Sequence, residues 1–214
     1  ANVASRVAHS AGSVAVLARL LSPREFGLVA MATIVTELAA LFSNFGFGAL
    51  LIQRRTTTRL QLDTVFWTSL GLGFCLSAAV FVLSYASAAF FSEPKTGELL
   101  RVLCWIFVLE ELTVVPQALL SRLMRFEAPF YIQLAMIVTR AGVAIAAAYR
   151  GFGVWSLVAG SLAGSVVQAA AYFAAARYRP RMRFHHRFVH AHLATSGSYF
   201  GGGLLFYVNS HVDL

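Results

Sequence analysis

Charge is what this sequence has least of. Only 12% of its 214 residues are Asp, Glu, Lys or Arg, and only 9 are acidic. A soluble domain carries about 25% charged residues, so the cover a water-facing surface needs is absent here. Apolar residues rise to 58%, against about 45–50% in an ordinary globular domain. One soluble core of this size could not bury that much apolar surface. The same composition excludes a disordered chain. Cysteine is scarce too. Cys75 and Cys104 both lie inside apolar runs, which excludes a disulfide framework and suits buried packing. No P-loop, G-x-S-x-G or H-E-x-x-H motif occurs, so ATP hydrolysis, cofactors and a metal centre are not expected.

Long apolar runs fill the rest. A bilayer core about 30 Å thick needs about 20 mostly apolar residues in a helix. Six stretches meet this: 3–21, 26–52, 64–91, 99–123, 129–149 and 152–178, and a seventh begins near Leu193. The expected fold is an all-α, polytopic transmembrane helix bundle with six complete spans and the start of a seventh. The links are short. Ser22-Pro23-Arg24-Glu25, Ser92-Glu93-Pro94-Lys95 and Arg150-Gly151-Phe152-Gly153 leave room only for antiparallel neighbours, with Pro23 suited to a first helical turn. The chain begins at Ala1 inside one apolar run and ends at Leu214 inside another, so it is expected to be a piece of a longer protein.

The net charge is +8, and its distribution gives an orientation. One set of loops carries Arg54, Arg55, Arg59, Arg122, Arg125, Arg177, Arg179, Arg181, Arg183 and Arg187; the other carries Arg24, Lys95 and Arg150. The arginine-rich side is expected in the cytoplasm, and with it the amino terminus. Tyr149 and Trp155 fall at the outer interface, Trp67 and Tyr178 at the inner one. The segment from Arg177 to Phe188 alternates Arg with aromatics. Between two spans, that pattern fits anionic lipid headgroups rather than nucleic acid. His185, His186, His190 and His192 lack acidic or thiol neighbours, which disfavours a metal.

Polar groups inside spans are costly and mark functional candidates. The first span carries Arg6, His9 and Ser13; the second Thr33, Glu37 and Asn44; the fifth Gln133 and Arg140; the sixth Ser161, Ser165 and Gln168. Each set shares a helical face, which suggests a hydrated cavity. Arg140 lies near mid-span, too deep to snorkel easily. It could form a structural ion pair with Glu37 or bind an anion such as phosphate through its forked donors. Arg6 and Gln133 join it as candidate anion ligands. Glu37 could serve as a proton or cation site, or as the partner of an arginine. Glu37, Asn44 and Pro116 are the candidate coupling or gating residues, Pro116 because it should kink the fourth span. In that span Arg101 and Glu110 point about 180° apart. Gly160-Ser161-Leu162-Ala163-Gly164 is a close-packing pattern without an assigned partner. Gly201-Gly202-Gly203 would permit bending.

The stretch from Leu17 to Ala32, LARLLSPREFGLVAMA, resembles the first-loop motif of the polysaccharide transporter (Wzx-type) flippases, within the superfamily of multidrug and toxin extruders. Phe45 to Arg54, Thr64 to Trp67, Val115 to Leu120 and Gly151 to Val158 follow in the family's order. The first apolar run continues into this motif rather than into a cleavage site, so it is expected to be a span and not a cleaved leader. The resemblance implies two lobes. Residues 1–176 would be the six-helix first lobe, 177–192 a basic cytoplasmic interlobe loop, and 193–214 the beginning of the seventh span. It implies an ion-driven flippase that moves undecaprenyl-pyrophosphate-linked glycan across the bacterial inner membrane by alternating access. Membrane lipids and a polysaccharide polymerase or glycosyltransferase complex are the other implied partners. A membrane-embedded polysaccharide enzyme would need a large outer loop, which is missing. A scaffold would need no buried charge, and a drug/cation antiporter would favour acidic over basic cavity groups. The truncated chain is not expected to act alone.

Overall fold

A computed structural model describes residues 23–43, 48, 51–52, 57–90, 93–123 and 127–182. Six helices account for most of them, and no strand occurs among the described residues. They are α1 (Pro23–Ser43), α2 (Arg59–Phe90), α3 (Pro94–Leu103), α4 (Trp105–Arg122), α5 (Glu127–Tyr149) and α6 (Trp155–Ala176). The expected first span, residues 183–192 of the basic loop and the seventh span lie outside the described residues.

Local chemistry sets the boundaries. The third expected span starts five residues earlier than its apolar run, at Arg59 rather than Thr64. The cause is a reciprocal cap. The Thr58 backbone N–H donates to Gln61 Oε1 at 3.0 Å, and the Gln61 N–H donates back to Thr58 Oγ1 at 3.4 Å. This pairing satisfies donors that a helix start leaves open. The fourth span comes in two pieces, and the break falls at Cys104 rather than at Pro116. The Cys104 thiol donates to the Arg101 carbonyl at 3.0 Å, the acceptor a continuous helix would offer to the Trp105 N–H. Pro116 sits buried inside α4.

Among the described residues, three helices are long and apolar enough to cross a bilayer: Arg59–Ser87, Glu127–Tyr149 and Trp155–Ala176. Their outward faces carry exposed Phe74, Val82, Leu83, Tyr131 and Val138, which suits lipid rather than water. The protein is therefore an integral membrane helix bundle.

Long-range contacts show that the helix ends alternate. At one end Arg24 pairs with Glu93 at 2.6 Å, and Lys95 and Glu98 share a cavity of about 200 Å³ with Phe152 and Trp155. At the other, Arg122 hydrogen-bonds the Thr57 hydroxyl, and Tyr178 reaches Asp63. α5 packs along α6, α6 along α4, and α4 along α2, while α1 lies across α3 and α2. The two largest apolar clusters among the described residues hold much of this arrangement. One joins Leu28, Val80, Leu99, Leu100, Phe107 and Val158. The other joins Leu62, Phe66, Val115, Ala118 and Tyr178.

Candidate functional site

Helical spacing projects polar residues of α1, α5 and α6 toward one space. Thr33 and Glu37 lie one turn apart on α1, and Met136 and Arg140 one turn apart on α5. Ser161, Ser165 and Gln168 follow at i, i+4 and i+7 on α6. All of them line one cavity of about 420 Å³, whose remaining wall includes Leu103, Phe107 and Glu110. Thr36, which follows the same turn of α1, lines it as well.

Among the described residues, the lining contains one cation and two acids. Arg140, Glu37 and Glu110 are all exposed to the cavity. Among the described residues, Arg140 forms no ion pair with either carboxylate. Its forked donors are thus not spent on an ion pair among the described residues. The hydroxyls are directed by the backbone. Thr33 donates to the Val29 carbonyl at 2.8 Å and Ser161 to the Leu157 carbonyl at 2.9 Å. Each hydroxyl oxygen keeps lone pairs that can accept a hydrogen bond.

The depth of Arg140 follows from its helix. It lies nine residues before Tyr149 in the 23-residue α5, which is roughly 14 Å of helix rise. The close-packing pattern of α6 fixes it there. A Cβ on Gly160 would stand 2.6 Å from the Arg140 carbonyl oxygen and 2.9 Å from the Ala144 Cβ. A Cβ on Gly164 would meet the Arg140 Cβ and the Met136 carbonyl oxygen, each at 3.2 Å. The partner of the two glycines is therefore α5, at the turn that bears the arginine.

The other sequence candidates fall elsewhere. Gln133 and Pro116 are not among the cavity-lining residues. Arg6, His9, Ser13 and Asn44 lie outside the described residues. Thr36 and Glu110 are polar lining residues that the sequence does not single out. The signal for Glu110 is its place one turn after Phe107 and Ile106 on α4. Arg101, on the far side, donates from Nε to the Ser84 hydroxyl at 3.4 Å and lies 4.4 Å over the Tyr85 ring.

Comparison with known proteins gives this cavity a context. The family model described as "Polysaccharide biosynthesis protein" matches residues 16–214. The succinoglycan biosynthesis transport protein ExoT of Rhizobium meliloti is 31% identical over 172 residues, which cover 80% of this chain and 35% of that protein. The lipopolysaccharide biosynthesis protein WzxC of Escherichia coli is 28% identical over 180 residues, with 79% and 35% covered. The teichuronic acid biosynthesis protein TuaB of Bacillus subtilis is 31% identical over 91 residues, with 42% and 19% covered. The chain thus spans about a third of the length of the first two of these relatives. No solved structure matches it. A family match over nearly all of the chain, joined to an apolar helix bundle and to relatives named for making and transporting polysaccharides, means that this chain belongs to the polysaccharide transporter (Wzx-type) family.

Proposed function

We propose that this chain is the first lobe of a flippase that carries a lipid-linked oligosaccharide, joined through a diphosphate, across the bacterial inner membrane. The observation that carries the reading is the Arg140 guanidinium, without an ion-pair partner among the described residues, in a cavity of mixed polar and apolar lining walled by α1, α3, α4, α5 and α6. A guanidinium fork matches phosphate oxygens, and the hydroxyl and amide groups beside it suit sugar. The arginine-rich loop ends would face the cytoplasm, with the amino terminus on that side. A second lobe beyond this chain would close the cavity, and rocking of the two lobes would expose it to each side in turn. The reading is a transporter and not an enzyme.

Charge arithmetic suggests the coupling. With Glu37 and Glu110 both ionised, the described residues of the lining carry one positive and two negative groups. An anion is then poorly held. Each proton taken up by a carboxylate moves the balance by one charge toward the anion. Proton uptake and diphosphate binding would thus favour each other. Export is expected to rise as external and cytoplasmic pH are lowered together. Glu37→Gln and Glu110→Gln should each flatten this dependence, and the double variant should abolish it. A pH profile that is unchanged in the double variant would remove both residues from coupling.

The function itself is tested by complementation. The full-length gene is placed in a strain lacking its polysaccharide flippase, and surface glycan is measured beside protein abundance. Restored glycan supports the flippase. Well-expressed protein with no restoration, across strains with several different glycans, would favour the enzyme or scaffold alternatives.

A further inference from the structure

The end of α6 is tied to the start of α2 by contacts that the central cavity does not use. Arg177 turns the chain through a left-handed conformation, φ 48°, which a residue with a side chain adopts only at some cost. The turn delivers Tyr178 into a pocket of Phe66 and Phe173, with ring centroids 5.8 and 6.5 Å away. There its hydroxyl donates to Asp63 Oδ1 at 2.8 Å. The Arg181 backbone N–H donates to the same oxygen at 3.3 Å, and the Trp67 indole N–H donates to the Arg181 carbonyl at 2.9 Å. Asp63 is only 1% exposed. Burial and the neighbouring carboxylate both push the ionisation of Tyr178 up, so it remains a neutral donor.

A buried carboxylate is expensive, and here its hydrogen bonds serve to fix a strand of basic residues. Arg177, Arg179 and Arg181 are exposed, as is Arg59 one turn before Asp63. The charge of Arg59 reaches the Tyr178 hydroxyl, which places it on the same rim. None of the four forms an ion pair among the described residues. Pro180, between Arg179 and Arg181, restricts the backbone further.

We propose that Asp63 is a positioning residue, which holds Arg179 and Arg181 beside Arg59 as a docking site for the diphosphate headgroup of the substrate lipid at the arginine-rich membrane face. The inference rests on the lipid-diphosphate substrate of the preceding reading. Ordinary loop arginines would need no such anchor. Three long-range hydrogen bonds spent on one short segment indicate that its position matters.

The sign of one substitution separates positioning from simple electrostatics. Removing a negative charge beside a cationic cluster should by Coulomb's law tighten anion binding. Positioning requires that it weaken. The test uses the full-length protein bearing Arg140→Gln, so that the central cavity contributes little, in phosphatidylcholine nanodiscs titrated with undecaprenyl diphosphate. Arg179→Gln with Arg181→Gln should raise the half-saturating probe content about tenfold or more, and Asp63→Asn and Tyr178→Phe each several-fold, as expected for disturbed charge-assisted hydrogen bonds. Tyr178→Phe keeps the ring packing, so it decides the matter if Asp63→Asn fails to fold by gel filtration. Unchanged or tighter binding in Tyr178→Phe and Asp63→Asn would overturn the proposal. So would an equal loss of binding to phosphatidylglycerol, which would mean a general anionic-lipid surface. If the protein with Arg140 intact prefers undecaprenyl diphosphate no more than phosphatidylglycerol, the substrate reading itself fails, and the anchor is not at fault.

Discussion

Arg140→Gln in the full-length protein is expected to cut surface glycan at least tenfold in a flippase-deficient strain, with protein abundance unchanged. The size follows from the geometry. The guanidinium lines the cavity without an ionic partner among the described residues, so its donors are available to a diphosphate. A hydrogen bond to a charged group contributes about 1.5–3 kcal/mol, and about 1.4 kcal/mol corresponds to tenfold in affinity. Loss of one such bond therefore predicts roughly tenfold to about a hundredfold weaker binding, and loss of a two-pronged contact predicts more. Stability should change little, because glutamine keeps part of the stem and removes a charge that is expensive within a membrane. Arg140→Lys is the informative intermediate. It restores the charge without the planar fork, so partial export would show that two-pronged geometry contributes beyond charge. Full export by Arg140→Gln at normal abundance would demote the residue to packing.

The faces of the helices were legible in the sequence, but their partners were not. Thr33 with Glu37, and Ser161 with Ser165 and Gln168, recur at helical spacing, so each stripe could be read from its own segment. That these stripes meet Arg140 across one space depends on how the helices cross, which periodicity does not encode. Glu110 shows the cost of this. Set against Arg101 alone it looked isolated, because the two point to opposite sides of the helix. Set beside Phe107 and Leu103 it falls on the cavity wall. Gln133 shares a face with Arg140 at i,i+7, yet it is not among the residues that line this cavity. Boundaries failed where polar chemistry outweighed hydropathy. The Thr58–Gln61 cap extends α2 past its apolar run, and the Cys104 thiol interrupts a helix expected to bend at Pro116. The anchor at Asp63 could not be read from the sequence, since its partners lie 115 and 118 residues away.

Packing and function converge on the α5–α6 seam, where Gly160→Leu is expected to abolish export and lower the folded yield. A Cβ there would stand 2.6 Å from the Arg140 carbonyl oxygen. That obstacle is backbone, so no rotamer change can relieve it and the helices must separate. Overpacking of this kind costs about 1–3 kcal/mol. In a bilayer little hydrophobic force opposes the separation, because helix association depends on close contact. The displaced turn is the one that carries Arg140, so the surviving folded protein should also bind the diphosphate poorly. Gly160→Ala should fall between the parent and Gly160→Leu. Gly142→Ala is the matched control, two residues from Arg140 on the same helix. A Cβ at Gly142 meets nothing within 4 Å, and alanine favours a helix by about 1 kcal/mol. Yield and thermal midpoint should therefore hold or rise in Gly142→Ala and fall in both Gly160 variants. Equal tolerance at the two glycines would show that the seam is not tight at Arg140.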